Sequence, residues 1–218
     1  MTASDKALVR AEDAAAIQRY GARLLRHAAD FALGTLDTLP PFAERDLRRP
    51  TPCAGWDLRM LLWHLDDSLA ALHEAVATGT VRPADPGAAP APGERGDPSG
   101  PVRERARRLA AAWADADEDG RAVLVGGNPV MAGVVAGAGA VELTVHAWDI
   151  SRSVGDPGRV PGPLAVRLLR LAPRLVPPHA REGLFAPPVT VPDGAAPGDR
   201  LAAFLGRDPG RPVQALGA

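Results

Sequence analysis

The chain has 218 residues, and its 25 lysine and arginine residues against 26 aspartate and glutamate residues leave a formal net charge of −1. This length suits one main core with a small appendage, and a near-neutral chain lacks the broad field that attracts nucleic acid or an anionic membrane. Hydrophobic residues make up 46% of the chain but aromatic residues only 4%, which favours a core of Leu, Val and Ala packed between helices.

The cysteine content and the lengths of the apolar runs indicate the cellular compartment in which the protein works. The single cysteine, Cys53, excludes an internal disulfide, and the N-terminal sequence lacks the apolar segment of a secretory signal. No apolar run reaches the roughly 20 residues of a membrane helix. We therefore expect a cytoplasmic protein, a monomer or homodimer, that binds neither nucleic acid nor a membrane. Abundant alanine, arginine and proline with very little lysine are typical of a high-GC, for example actinobacterial, genome.

The first two predicted elements are amphipathic helices. Apolar residues recur at three- and four-residue steps over 12–39, and two consecutive prolines end this first helix. A second helix begins at Asp57, a good N-cap, and carries a leucine stripe to about Thr78. Residues 79–100 are so rich in Pro, Gly and Ala that we expect a mobile surface loop without helix or strand.

A third helix is predicted from Pro101 to about Ala116, with arginines on its solvated face. The run AVLV at 122–125 is β-prone, and GGNPVMAG at 126–133 indicates a turn into a fourth helix over about 134–154.

Small residues open that fourth helix, with the sequence VVAGAGA at 134–140. Glycine costs a helix about 1 kcal/mol relative to alanine. We expect these positions to line a pocket beside the functional site, the alternative being unusually close packing against a neighbouring helix.

The last part of the chain is predicted to form short elements of mixed type. Residues 163–175 indicate a fifth helix, 188–192 (PVTVP) a short strand, and 199–205 a short terminal helix. We therefore divide the chain into a helical bundle over 1–160 and a small α/β region over 161–218.

Two of the five histidines, His64 and His146, lie on strongly apolar helical stretches. Glu142 and His146 are four positions apart, so on a helix their side chains share one face. His64 on a facing helix can complete a three-ligand set that leaves coordination positions open, as at catalytic zinc sites. An E-x-x-x-H pair is more often a surface ion pair or a core histidine, so spacing alone leaves both alternatives open.

Three segments resemble one known family. TPCAGWDLRMLLWHL at 51–65 resembles the TPC-x-x-W…H run that opens the second helix in the mycothiol-dependent maleylpyruvate isomerase-like branch of the DinB superfamily. ELTVHAWD at 142–149 resembles the E-x-x-x-H-x-W-D run of that branch, and FLGRDP at 204–209 resembles its closing LLGRDP. The three motifs occur in the right order over most of the chain, which makes the match a specific one.

The resemblance implies a mainly α fold, a DinB-like four-helix bundle with a small C-terminal α/β appendage. It implies that His64, Glu142 and His146 are the metal ligands and catalytic residues, with zinc the expected metal and nickel, iron or manganese also compatible with this donor set. It further implies mycothiol as a thiol partner and a small-molecule carbonyl substrate, hence a metal-dependent isomerase or thiol transferase. The alternatives are a thiol-independent metalloenzyme of specialised metabolism, catalysing cyclisation, elimination or hydrolysis, and a non-catalytic metal- or ligand-binding protein.

Other side chains in or near these motifs also have expected roles. Asp149 either orients a metal ligand by a hydrogen bond or serves at the helix surface or cap. Cys53 is expected to be a small buried residue before the helix, although a thiolate would be stabilised there. Trp56, Trp63 and Trp148 are expected in the core.

Arg200 and Arg207 are expected to make surface pairs, the alternative being contact with an anionic thiol or carboxylate substrate. His27, His73 and His179 have no useful partner spacing. The chain departs from the family pattern at 127–130 and at 133–140, both near the expected pocket, which leaves the substrate and the thiol requirement open.

Overall fold

The computed structural model describes residues 3–39, 41–82, 97–114, 121–182 and 184–212, and the side chains of residues 3–19, 114 and 180 are outside that description. The described ranges contain six α-helices: α1 (Ala3–Asp37), α2 (Leu58–Thr78), α3 (Ser99–Ala114), α4 (Ala132–Ser153), α5 (Gly162–Leu175) and α6 (Pro197–Phe204). Short 3-10 turns occupy Asp46–Arg48 and Pro178–Ala180.

Four of these helices make the central bundle. α1 packs on α3 and α4, and α2 packs on the same two helices, while α5 packs on α1 and α4 and α6 packs on α5. The core is mainly Leu, Val and Ala, because the chain has few aromatic residues. The predicted mainly α class is confirmed, and no helix in the described ranges combines the length and apolarity needed to cross a membrane.

The second helix forms as its sequence predicts. The Asp57 side chain accepts a hydrogen bond from the Met60 amide at 2.9 Å and so caps the first turn. Gly79, with φ of 71°, ends the helix in the left-handed conformation. The leucine stripe between these caps is buried, at Leu58, Leu61, Leu62, Leu65, Leu69 and Leu72.

A small three-stranded sheet replaces part of the predicted loops. β1 (Thr80–Val81) runs parallel to β2 (Ala122–Val125), which pairs antiparallel with β3 (Asn128–Met131). The turn between β2 and β3 uses two residues with positive φ, Gly126 and Gly127, as a tight hairpin requires.

The structure corrects four predicted boundaries. The 79–100 loop prediction is wrong at both ends, because the chain extends into β1 and because α3 already begins at Ser99; residues 83–96 lie outside the described residues. The 126–133 turn prediction is wrong because part of it is strand β3. α1 begins well before the predicted residue 12. The predicted end of the third helix, at 115–116, also lies outside the described residues.

The strand predicted at 188–192 is absent. Residues 188–192 do not form a strand. The Val189 amide donates instead to the Ala203 carbonyl at 2.9 Å. The flanking prolines have no N–H to donate, so the segment cannot supply the ladder that a strand needs. The α/β character comes from the sheet between α2 and α4.

Glycines bring α4 into close contact with both α1 and α2. A Cβ on Gly21 would lie 2.0 Å from the Gly133 carbonyl oxygen, and one on Gly139 would lie 2.6 Å from a methyl group of Leu72. Ala136, Gly137, Gly139 and Ala140 are all buried. The small residues therefore serve close helix packing at these positions, and the expectation that Gly139 lines a pocket is wrong.

Replacing Gly21 with Ala should destabilise the protein, since the new methyl group meets backbone that cannot rotate away. We expect the free energy of unfolding to fall by about 1–3 kcal/mol. Gly34→Ala on the same helix is the matched control: nothing lies within 4 Å of the added Cβ, so a gain of about 0.5–1 kcal/mol is expected. Urea denaturation of both variants tests this, and equal stabilities would refute the close contact.

Candidate metal centre

His64, Glu142 and His146 come together between two helices. His64 lies on α2, and the other two lie one turn apart on α4. The Glu142 Oε1 atom is 2.6 Å from His64 Nε2 and 3.1 Å from His146 Nε2. The ligand-type atoms of the three side chains all lie within 4.8 Å of one another. The packing of α2 against α4 thus joins two sequence segments that are far apart in the chain.

The cluster is buried on one side and open on the other. The His146 side chain is 5% exposed, whereas Glu142 is 26% and His64 is 36% exposed. A small molecule can therefore approach from the side of His64 and Glu142, whereas His146 is shielded from solvent.

The buried side of His146 faces a carboxylate. His146 Nδ1 lies 3.1 Å from Asp149 Oδ2, and Asp149 is fully buried. With the Nδ1 hydrogen donated to Asp149, the His146 Nε2 atom is directed at the Glu142 side. A carboxylate behind a histidine in this way fixes the tautomer and ring orientation of many metal-binding histidines.

Arg207 pairs with Asp149, the carboxylate that His146 contacts on its buried side. Its Nη2 donates to Asp149 Oδ2 at 2.9 Å, and its side chain is 5% exposed. The expectation of a surface pair is therefore wrong for Arg207, whereas Arg200 is exposed as expected. Arg207 follows α6 in a Gly- and Pro-rich segment whose local sequence gives no indication of burial.

Two residues of the 51–65 motif pack around the histidines. The Trp56 ring lies 4.6 Å from the His64 ring, edge-on, and 6.0 Å from the His146 ring in a stacked arrangement. Cys53 is half-buried, and its Sγ lies within 4.8 Å of ligand-type atoms of His146 and Asp149. Burial raises the pKa of the Cys53 thiol to about 11, which keeps it protonated at neutral pH.

Sequence reasoning placed these aromatic and sulfur side chains in the core, and it was right only in part. Trp148 is buried as expected, but Trp56 and Trp63 are only partly buried. The position of Trp56, at the helix start and eight residues before His64, is the feature that could have linked it to the site. His27 and His179 are exposed and His73 is half-buried.

The electrostatics of the cluster favour a positive charge between its carboxylates. Burial alone would raise the pKa of Glu142, but the charge of His146 and the hydrogen bonds with both histidines hold it well below its ordinary value. Burial likewise opposes protonation of His146, yet Glu142 and Asp149 raise the pKa of His146 to about 9. Without a metal, His146 is thus an imidazolium between two carboxylates.

The donor set fits a divalent cation. Zinc accepts two imidazole nitrogens and one carboxylate oxygen as ligands. Around a tetrahedral zinc ion, neighbouring ligand atoms lie about 3.3 Å from one another. A cation at this position would replace the positive charge that the carboxylates now draw onto His146.

Cys53, His146 and Asp149 form a second group with ligand-type spacing. It suits a cation less well, because Arg207 already neutralises Asp149 and its guanidinium would repel the ion.

Comparison with known proteins supports the resemblance seen in the motifs. The sequence model of the family described as "Mycothiol maleylpyruvate isomerase N-terminal domain" matches residues 25–151. These residues include the proposed ligands His64, Glu142 and His146, but not Arg207. Searches of curated proteins and of solved structures found no significant match.

The metal-free protein should lose stability at alkaline pH. The pKa of His146 is about 9 in the folded state and about 6.5 when unfolded. The stabilisation that protonated His146 gives the folded state is therefore complete below pH about 6.5 and is lost as the pH rises through 9. Urea denaturation of chelator-treated protein at pH values from 6.5 to 9 measures this loss.

Glu142→Gln is the control for other groups that titrate in this window, because it removes the negative charge but keeps the shape. We expect the stability of this variant to change less over the same pH range. Identical pH profiles for the two proteins would contradict the assigned charge pair.

Proposed function

Because the chain belongs to the mycothiol maleylpyruvate isomerase N-terminal domain family, we propose that it is a metal-dependent enzyme. In this proposal His64, Glu142 and His146 hold one divalent ion, most simply zinc, with nickel, iron or manganese as the alternatives for the same donors. The reaction is a thiol-assisted isomerisation or transfer on a small carbonyl compound.

One observation carries the proposal: the Nε2 atoms of both histidines lie against the same oxygen of Glu142. A purely structural role would not require these polar side chains, since well-packed apolar residues in place of a buried ion pair are often as stable or more stable. Their convergence at a partly exposed position is the arrangement expected of a metal centre.

The chain's own residues hold and orient this centre. Asp149 accepts the Nδ1 hydrogen of His146, and Trp56 packs against both imidazole rings. Glu142, whose carboxylate lies against both histidines, would hold the ion between them. A divalent ion in this position supplies Lewis acidity, which lowers the pKa of a thiol or water and polarises a carbonyl.

The open side of the cluster favours an enzyme over a structural metal protein. Structural zinc sites are closed by four protein ligands, whereas catalytic sites keep a position for water or substrate. Within the described part of the chain, no fourth His, Cys, Asp or Glu joins this group of three. His64 and Glu142 are also the two members that solvent reaches.

Mycothiol is the proposed thiol, on the basis of the family's description. The thiolate of such a partner would occupy the open side, since Cys53 lies on the buried side of His146 and its raised pKa keeps it protonated. Of the departures from the family pattern, 127–130 belongs to the β2–β3 hairpin, and Gly139 packs against Leu72.

Loss of either histidine should remove the metal. We expect the purified wild-type chain to carry or take up a single zinc ion, and His64→Ala or His146→Ala to lose most of it, because water alone rarely replaces one of three ligands. Elemental analysis after dialysis measures the content. His73→Ala is the control, since His73 lies on the same helix as His64 outside the cluster, and a variant lacking His64 or His146 that keeps full metal would refute the assignment.

The reaction can be tested on the same preparations. Wild-type protein loaded with zinc should isomerise maleylpyruvate or transfer mycothiol only when both metal and mycothiol are present. Metal-dependent turnover without mycothiol would favour the thiol-independent alternative. Stoichiometric zinc without any turnover on a panel of small carbonyl compounds would favour a non-catalytic role.

A further inference from the structure

The segment that follows α6 reaches the back of the metal centre. Arg207 donates from Nη2 to Asp149 Oδ2 at 2.9 Å and from Nε to both carboxylate oxygens at 3.3 Å. Its Nη1 donates to the Leu205 carbonyl at 2.8 Å. Both ends of this ion pair are buried, with Arg207 at 5% and Asp149 at 0% exposure.

The same oxygen of Asp149 connects Arg207 to His146. Oδ2 accepts from Arg207 Nη2 and lies 3.1 Å from His146 Nδ1. A carboxylate on its own can rotate about its side-chain bonds, but three hydrogen bonds from a planar guanidinium fix its plane. A fixed Oδ2 holds the His146 ring in the orientation that directs Nε2 at the open cluster.

We propose that Arg207 is a positioning residue of the metal centre, which acts through Asp149 on His146. The C-terminal region, which we divide from the bundle near residue 161, would then set the metal affinity of ligands that lie in the bundle. This inference rests on the proposed function, because it assumes that His146 binds a metal.

Other arginines anchor the C-terminal region without contacting Asp149. Arg181 donates to the carbonyls of Ala186 and Phe204, both at 2.7 Å. Arg152 donates to the carbonyls of Pro209 and Arg211. Arg181 is also buried, at 9% exposure, and its hydrogen bonds go to the segment and not to Asp149, so it is the matched control for the loss of a buried arginine.

The test measures zinc affinity in the full chain. Wild type, Arg207→Met and Arg181→Met are stripped with a chelator, and the Zn²⁺ dissociation constant is measured by competition with a chromophoric chelator, with melting temperatures recorded in parallel. Loss of a residue that orients a ligand typically weakens metal affinity about 10–100-fold. We expect that loss for Arg207→Met and a change below about threefold for Arg181→Met.

A double variant tests whether the effect passes through Asp149. Asp149→Asn should itself weaken zinc binding, and adding Arg207→Met to it should change the affinity by less than about threefold, since the oriented carboxylate is already gone. If Arg207→Met does not fold, Arg207→Lys and Arg181→Lys replace the pair, because both keep the buried charge and only the first loses the planar contact with Asp149.

Several outcomes would overturn the proposal. Equal losses of zinc affinity in the Arg207 and Arg181 variants would make the role of Arg207 structural only. An undiminished effect of Arg207→Met on zinc affinity in the Asp149→Asn background would exclude action through Asp149. Wild-type protein that takes up no zinc would refute the proposed function and this inference together. Tight zinc binding that Arg207→Met leaves unchanged would refute only the inference.

Discussion

The arrangement of this protein depends on one shared atom, the Glu142 Oε1 that lies against imidazoles from two helices. A partly buried carboxylate is unfavourable unless it is paired, and here its partners come from α2 and α4 alike. The pairing therefore requires these two helices to be neighbours in a fixed register. Asp149 and Arg207 extend the same charge network into the buried side, so each charged side chain of the cluster has a partner of opposite charge.

Close packing elsewhere in the bundle keeps that register. The Gly21–Gly133 contact lets α1 approach α4 at the backbone, and Leu72 of α2 occupies the space beside Gly139. α4 is held from both sides, so the helix that carries Glu142 and His146 has little freedom to shift. The small residues at its start contribute to the site by fixing this helix, since they let it pack closely against both neighbours.

Much of this could be predicted from the sequence, because it depended on local periodicity and on two motifs. The leucine stripe and the Asp57 cap place His64, and the four-residue spacing places Glu142 beside His146. Arg207 could not be placed, because its burial depends on how the C-terminal segment folds back onto α4. The β1–β2 pairing was missed for the same reason, since it joins short segments that are distant in the chain and individually weak.

Zinc K-edge X-ray absorption on the full chain loaded with one equivalent of zinc tests the proposed centre most directly. We expect a first shell of nitrogen and oxygen only, at about 2.0–2.2 Å, with the scattering pattern of two imidazoles from His64 and His146. A sulfur scatterer at about 2.3 Å would instead place the ion on Cys53. That result, or a shell without imidazole, would contradict the proposed centre.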